Sequence, residues 1–263
     1  MENTPGAPVS PPPLTGNVLF YQQPEPLSAE AHGHLGVKQI AHPFGFLAAA
    51  HAVPITVTEF GMVAGCYPVI FVGDDKTPIA VMGVRQGQNL YVDANGQPEQ
   101  DYYVPAFARR YPFVFAADQG SDQLLLCIDR QAPMVSDAPE VPFFVNGEAS
   151  EFTNNAIEFC KEFERQRRAT TDFIALMTKM DLFEQKSVSF QPRDPQGNQV
   201  GEPQKIADYW AIDEAKLNAL SDEQFLELKN NGAFGAIYAH MVSLLKWQSV
   251  IQRAMRVPAP AQA

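Results

Sequence analysis

The chain has little cysteine, little positive charge and no long apolar run. Cys66, Cys127 and Cys160 are the only thiols among 263 residues, odd in number, far apart and without a CxxC pair. That spacing excludes a disulfide scaffold and a zinc ribbon, and leaves each thiol as a small hydrophobe suited to a reducing compartment. The apolar stretch 44–55 is interrupted by Gly45, His51 and Pro54, and nothing approaches the ~20 residues that carry a helix across a bilayer. The 19 Lys and Arg stand against 30 Asp and Glu, for a net charge of −11. A surface of that sign repels phosphate backbones and anionic headgroups, so neither nucleic-acid binding nor membrane insertion is expected. Gly83, Gly87 and Gly96 match neither a dinucleotide fingerprint nor a Walker loop, and no G-x-S-x-G elbow or H-E-x-x-H pair occurs. The first residues show neither the basic nor the apolar region of a secretory signal, so a cytoplasmic location is expected.

What the chain does have is proline at its ends and apolar periodicity between them. Residues 1–30 carry Pro5, Pro8, Pro11, Pro12, Pro13, Pro24 and Pro26; proline fixes φ and removes donors, so this segment reads as an extended arm. Pro258 and Pro260 make 257–263 a tail. Between them, a hydrophobic content of 46% with 19% charged residues suits a core that needs no staples, and residues 31–256 are expected to form a single domain.

Early segments read as strands and late ones as helices. Val69–Val72 and Ile79–Met82 flank a turn-rich stretch at 73–78, which predicts an antiparallel pair. Asn95-Gly96, after Leu90–Val92, predicts a tight turn. Phe113–Phe115 and Leu124–Ile128, joined by a turn at 118–122, are nearly all apolar, which predicts a sheet covered on both faces. Thr58 is expected to cap a short helix from Glu59. From Thr153 onward, Ile157, Cys160, Phe163, Ile174, Met177 and Met180 recur at helical spacing between charges. A second hairpin is expected from 187–190 and 206–212, around a turn at 194–197. Ser221 with Gln224 forms a capping-box pattern, Asn231-Gly232 a helix stop, and a last helix should bury Ile237, Met241, Leu244, Leu245 and Ile251. The class is therefore α+β, an antiparallel β-sheet packed by C-terminal helices.

The block Tyr103-Val104-Pro105-Ala106-Phe107 with Arg109-Arg110-Tyr111-Pro112-Phe113 resembles the bacterial SapC family. Supporting stretches are Val53-Pro54-Ile55, Tyr67-Pro68-Val69, Gly83-Val84-Arg85, Asn89-Leu90-Tyr91-Val92-Asp93 and Ile237-Tyr238-Ala239-His240, so the resemblance covers most of the chain after residue 30. Gln88 and Pro98 depart from the family pattern. The resemblance implies an association with surface layers, outer-membrane nutrient receptors, and halogenase-like and cupin-like proteins. It implies no catalytic residue.

Arg109-Arg110 is the pair best suited to hold a carboxylate or phosphate. The plainer reading, preferred here, pairs one guanidinium with Glu59 or Asp93 and leaves the other in water; Arg85 is read the same way. His32 and His34 form His-x-His upstream of His42 and His51, but no Asp or Glu lies between 34 and 51 to complete a metal triad. No metal and no cofactor is expected, and His51 and His240 should bond backbone or carboxylate groups at the domain edge. A Cys66–His51 nucleophile pair is conceivable, but an apolar-flanked cysteine is more often inert. Tyr102, Tyr103 and Tyr238 with Arg109 could line a groove for a peptide. The candidate ligand-binding set is therefore Arg85, Tyr102, Tyr103, Arg109, Arg110, Tyr111, Tyr238 and His240, with no catalytic residue assigned. The expected function is a non-enzymatic cytoplasmic adaptor that binds a peptide or protein linked to the cell envelope or nutrient uptake. A metal-dependent, oxygenase-like peptide-modifying enzyme and a surface-layer component stand as alternatives. The sequence says nothing about oligomeric state.

Overall fold

Val69–Val72 is apolar at every position and so has no face to offer water; the structure spends both faces. In the computed structural model, which describes residues 19–93, 95–117, 124–191, 199 and 201–256, this strand pairs antiparallel with Thr77–Val81, Ile70 opposite Ile79. Ala52–Pro54 pairs beyond it, and the hairpin of Phe183–Phe190 with Gln204–Ile212 joins on the other side through Trp210 opposite Phe71, making a five-stranded sheet. On one face Phe71 meets Phe60 and Phe183, and Phe60 meets Phe173 of the helix Glu151–Lys179. On the other, Ile70, Val81, Tyr209 and Ala211 pack with Trp247 of the last helix, Trp247–Arg256. This is the expected α+β arrangement of helices on antiparallel strands.

The described residues fall into two compact units, each made of two stretches: one ends at Ala41 and resumes over Arg110–Lys161, the other runs over His42–Arg109 and resumes at Glu162. The five-stranded sheet belongs to the second. Its two central strands share one register pair, Trp210 with Phe71, and then open. Within the opening, His240 Nδ1 donates to Val69 O at 2.9 Å, and His240 Nε2 accepts from Ile212 N at 3.1 Å. Ser243 Oγ accepts from Val69 N at 2.9 Å. The helix Phe234–Ser243 thus supplies the bonds that a strand neighbour would have made. A 3-10 turn, Leu244–Lys246, leads on to Trp247–Arg256.

Those bonds set the rotational phase of the C-terminal helices. Ile237, His240, Ser243, Trp247, Val250 and Ala254 are buried, whereas Leu245, expected inside, is 77% exposed. The short early helix is also displaced from expectation. Its cap is Thr56 rather than Thr58, in a capping box with Glu59 that opens the 3-10 turn Val57–Glu59 before Phe60–Ala64. Ser221 and Gln224 form the expected capping box on Asp222–Asn230, and Gly232 follows with φ 68°.

In the first unit, Phe113–Ala117 pairs with Leu124–Asp129, and Pro24–Pro26 adds a third strand on the far side of Leu124–Asp129. Leu35, Phe113, Ile128, Phe143 and Cys160 form the core. The apolar run of Leu124–Asp129 is not covered along its whole length: Leu124 and Leu125 stand 41% and 39% exposed, and burial sets in at Cys127. A small hairpin, Phe144–Val145 with Glu148–Ala149, turns on Asn146 and Gly147, both at positive φ. The proline-rich residues before 19, the turns at 118–122 and 194–197, and the tail 257–263 lie outside the described residues.

Candidate functional site

The segment from Tyr103 to Arg109 folds around a buried carboxylate. Glu59, 5% exposed, accepts from Thr56 N at 2.9 Å and Thr56 Oγ1 at 2.8 Å on Oε2, and from Tyr103 OH at 3.0 Å and Ala106 N at 2.6 Å on Oε1. Arg109 is exposed; its Nη2 donates to Tyr103 OH at 2.9 Å and its Nε to Val104 O at 3.0 Å. Arg109 therefore reaches Glu59 through the Tyr103 hydroxyl rather than directly. Burial, then Glu59, raises the Tyr103 pKa, so the phenol stays protonated at neutral pH. Cys66 Sγ accepts from Tyr103 N at 3.4 Å, which places that thiol in the same backbone knot.

Tyr102 belongs to a neighbouring cluster. Arg253 stacks over Tyr91 at 4.3 Å and Tyr102 at 5.0 Å, donates to Tyr102 OH at 2.9 Å, and forks onto Glu99 at 2.7 and 2.9 Å. The Tyr67 and Tyr91 rings meet edge-on at 4.8 Å. Burial pushes the Tyr91 phenol up to about 12, with Arg253 pulling the other way. A guanidinium already held by a bidentate carboxylate and two rings fastens the last helix to the 89–102 loop.

Arg110 and Tyr111 lie in the first unit. Arg110 is buried, and its charge acts on the Tyr21 hydroxyl. Tyr111 OH donates at 3.0 Å to Asp129, a wholly buried carboxylate that also accepts from the backbone N–H groups of Gln22, Gln23 and Gln131. Burial and Asp129 together raise the Tyr111 pKa. This knot ties the segment before Pro24 to the strand Leu124–Asp129.

The remaining candidates are dispersed. Nη1 of half-buried Arg85 has no hydrogen-bond partner among the described residues. Tyr238 is 53% exposed and stacks on Phe234. His240 is in the interior rather than at an edge, and burial lowers its pKa to about 4. Tyr103 and Arg109 thus come together, Tyr102 sits with Arg253, and Tyr238 joins the outer face of its own helix. His32 Nε2 lies 2.9 Å from Glu25. No group of three metal-ligating side chains occurs among the described residues.

A roomy concavity lies elsewhere in the second unit. A cleft of about 670 Å³ opens between the helix Glu151–Lys179 and the 227–236 segment. Ala169, Phe173, Ala175 and Leu176 form one wall, and Ala233 and Ala236 the other. Lys179 Nζ bridges to Glu227 at 2.8 and 3.1 Å, and Asp172 stands on the rim. Thr170 Oγ1 accepts from Val57 N at 2.9 Å, fixing the 3-10 turn at the end of the cleft. Small side chains on facing helices leave room for a larger one from outside, and the rim carries one more negative than positive group. The sequence reading missed this site; its only signal, alanines on a helix, is also that of ordinary close packing.

A family model described as SapC matches residues 27–250. No curated protein matches the chain, and no solved structure matches it.

Proposed function

Since the chain belongs to the SapC family, we propose that it is a non-catalytic cytoplasmic adaptor that seats a peptide segment of a protein partner in the cleft between Ala175 and Ala236. The partner is tied to the cell envelope or to nutrient uptake. The observation that carries the reading is the cleft itself. Its volume of about 670 Å³ falls within the range of sites that bury a ligand. Its walls are apolar, and its rim pairs Lys179 with Glu227 beside Asp172. Such a groove takes an apolar anchor side chain, and the surplus of negative charge favours a flanking Lys or Arg on the peptide.

A displayed random-peptide library selected on the purified protein, followed by calorimetry with a synthetic winner, tests this. The winners should share an apolar anchor next to a basic residue. Ala175→Trp, which fills the cleft from an exposed helix position, should weaken their binding by at least about tenfold, as expected when an anchor pocket is lost. Equal binding by Ala175→Trp, or a library without consensus, would defeat the reading. Purified protein that carries stoichiometric metal and turns over a peptide would favour the oxygenase-like alternative instead.

A further inference from the structure

The sequence 234–245 contains no charged residue, yet the helix Phe234–Ser243 and the 3-10 turn that follows it are covered on only part of their circumference. Ile237, His240 and Ser243 are spent on the sheet. Phe234, Tyr238, Val242 and Leu245 follow one another at intervals of four, four and three, a straight stripe along the other side. Tyr238 is 53% exposed, Val242 58% and Leu245 77%. The stripe does not stop at the helix. The Phe225 ring lies 4.7 Å from Phe234, and Phe234 stacks on Tyr238 at 6.1 Å, which extends the patch onto the helix Asp222–Asn230. A helix that is apolar all round is stable only when covered all round, and a continuous apolar patch on an otherwise charged surface marks an interface.

We propose that this face packs against the same face of a second copy of the chain, the two helices antiparallel about a two-fold axis. Three arguments select that occupant. The stripe has the length and spacing that a facing helix fills by ridges and grooves, and an antiparallel pair sets Tyr238 of one copy against Val242 of the other. Each molecule carries a net charge of −11, so two copies can meet closely only over an uncharged patch, and residues 234–245 supply one. Four large side chains, Phe225, Tyr238, Val242 and Leu245, stand about half open or more and amount to several hundred Å² of apolar surface per copy, a large share of the ~800 Å² that each partner gives to a standard interface. The same net charge argues against an anionic membrane as the covering surface. This surface is separate from the cleft and does not depend on its occupancy.

Sedimentation equilibrium of the purified chain, from low micromolar to submillimolar concentration, should show a mass rising from 29.0 kDa toward twice that value. Leu245→Lys and Val242→Glu alter side chains that stand mostly in water, so both variants should keep the circular dichroism of the parent. Each should weaken dimerisation by ~30-fold or more, the effect of removing a central anchor. A parent that stays at 29.0 kDa across the series overturns the proposal, and implies that a different protein covers the stripe. A dimer that survives both substitutions overturns it as well, by placing the interface elsewhere. If Val242→Glu fails to fold, Leu245→Lys, at the most open of the stripe's positions, decides the matter alone.

Discussion

Two buried carboxylates, one in each unit, each gather several hydrogen bonds. Each oxygen of Glu59 carries one backbone N–H, from Thr56 or Ala106, together with a hydroxyl. Asp129 likewise receives backbone N–H groups on both oxygens. Neither tolerates an amide: whichever way Gln or Asn is turned, an NH2 faces a backbone donor. Glu59→Gln should therefore destabilise its unit by about 2–3 kcal/mol, the cost of an unmet bond to a buried charged acceptor. Urea titration followed by fluorescence checks it, because Trp210 and Trp247, the chain's two tryptophans, both lie in that unit. For Asp129→Asn, amide exchange at Gln22 and Gln23 should speed up, and unchanged protection there would show that the carboxylate is not what holds them. At this scale the sequence was partly legible. The sequence offers Glu59 or Asp93 as partner for one guanidinium of Arg109-Arg110, but the Tyr103 hydroxyl that stands between Arg109 and Glu59 depends on a fold-back that spacing does not reveal.

Among the elements, what was written in local chemistry was readable and what was written in distant pairing was not. The hairpin of Val69–Val72 with Thr77–Val81, the Asn95-Gly96 turn and the Ser221 capping box all follow from residues within a few positions of one another. Asn146-Gly147 carries the same signal, with both residues at positive φ. His240 could not be read, because its two bonds join Val69 and Ile212, 171 and 28 residues away. That geometry has a pH signature. With Nδ1 donating to Val69 O and Nε2 accepting from Ile212 N, the native ring is neutral, and burial holds its pKa near 4 against an ordinary 6.5. In the unfolded chain the ring takes up a proton as pH falls below 6.5, and in the native state it does not. Stability is therefore level above 6.5, falls by about 1.4 kcal/mol per unit on the way to 4, and loses about 3 kcal/mol in all from this group. His240→Gln should be less stable at pH 7 and should lack this slope between pH 6.5 and 5. Parallel slopes in parent and variant would remove His240 as the cause.

For the molecule as a whole, charge and apolar surface act in opposite directions. The −11 of each copy opposes association, while the stripe of Phe234, Tyr238, Val242 and Leu245 promotes it. Raising salt screens the first and leaves the second intact. Dimerisation should therefore tighten between low and physiological ionic strength, the reverse of an interface held by ion pairs, and a weaker dimer at higher salt would contradict an uncharged contact. The composition made the repulsion legible, but Leu245 was expected in the core. Only the bonds of His240 and Ser243, which fix the helix phase, turn it outward.

The opening in the sheet also has a consequence for biosynthesis. Val69–Val72 leaves the ribosome early, yet its covering arrives last: Gln204–Ile212 beside it, then His240 and Ser243 in the gap, then Trp247 on its far face. Until the final stretch has emerged, one of the most apolar segments of the nascent polypeptide has no finished place to go. Translation of this protein therefore carries a long interval in which that strand lacks its final neighbours, and a message truncated before codon 240 yields a product without the His240 and Ser243 bonds that fill the opening.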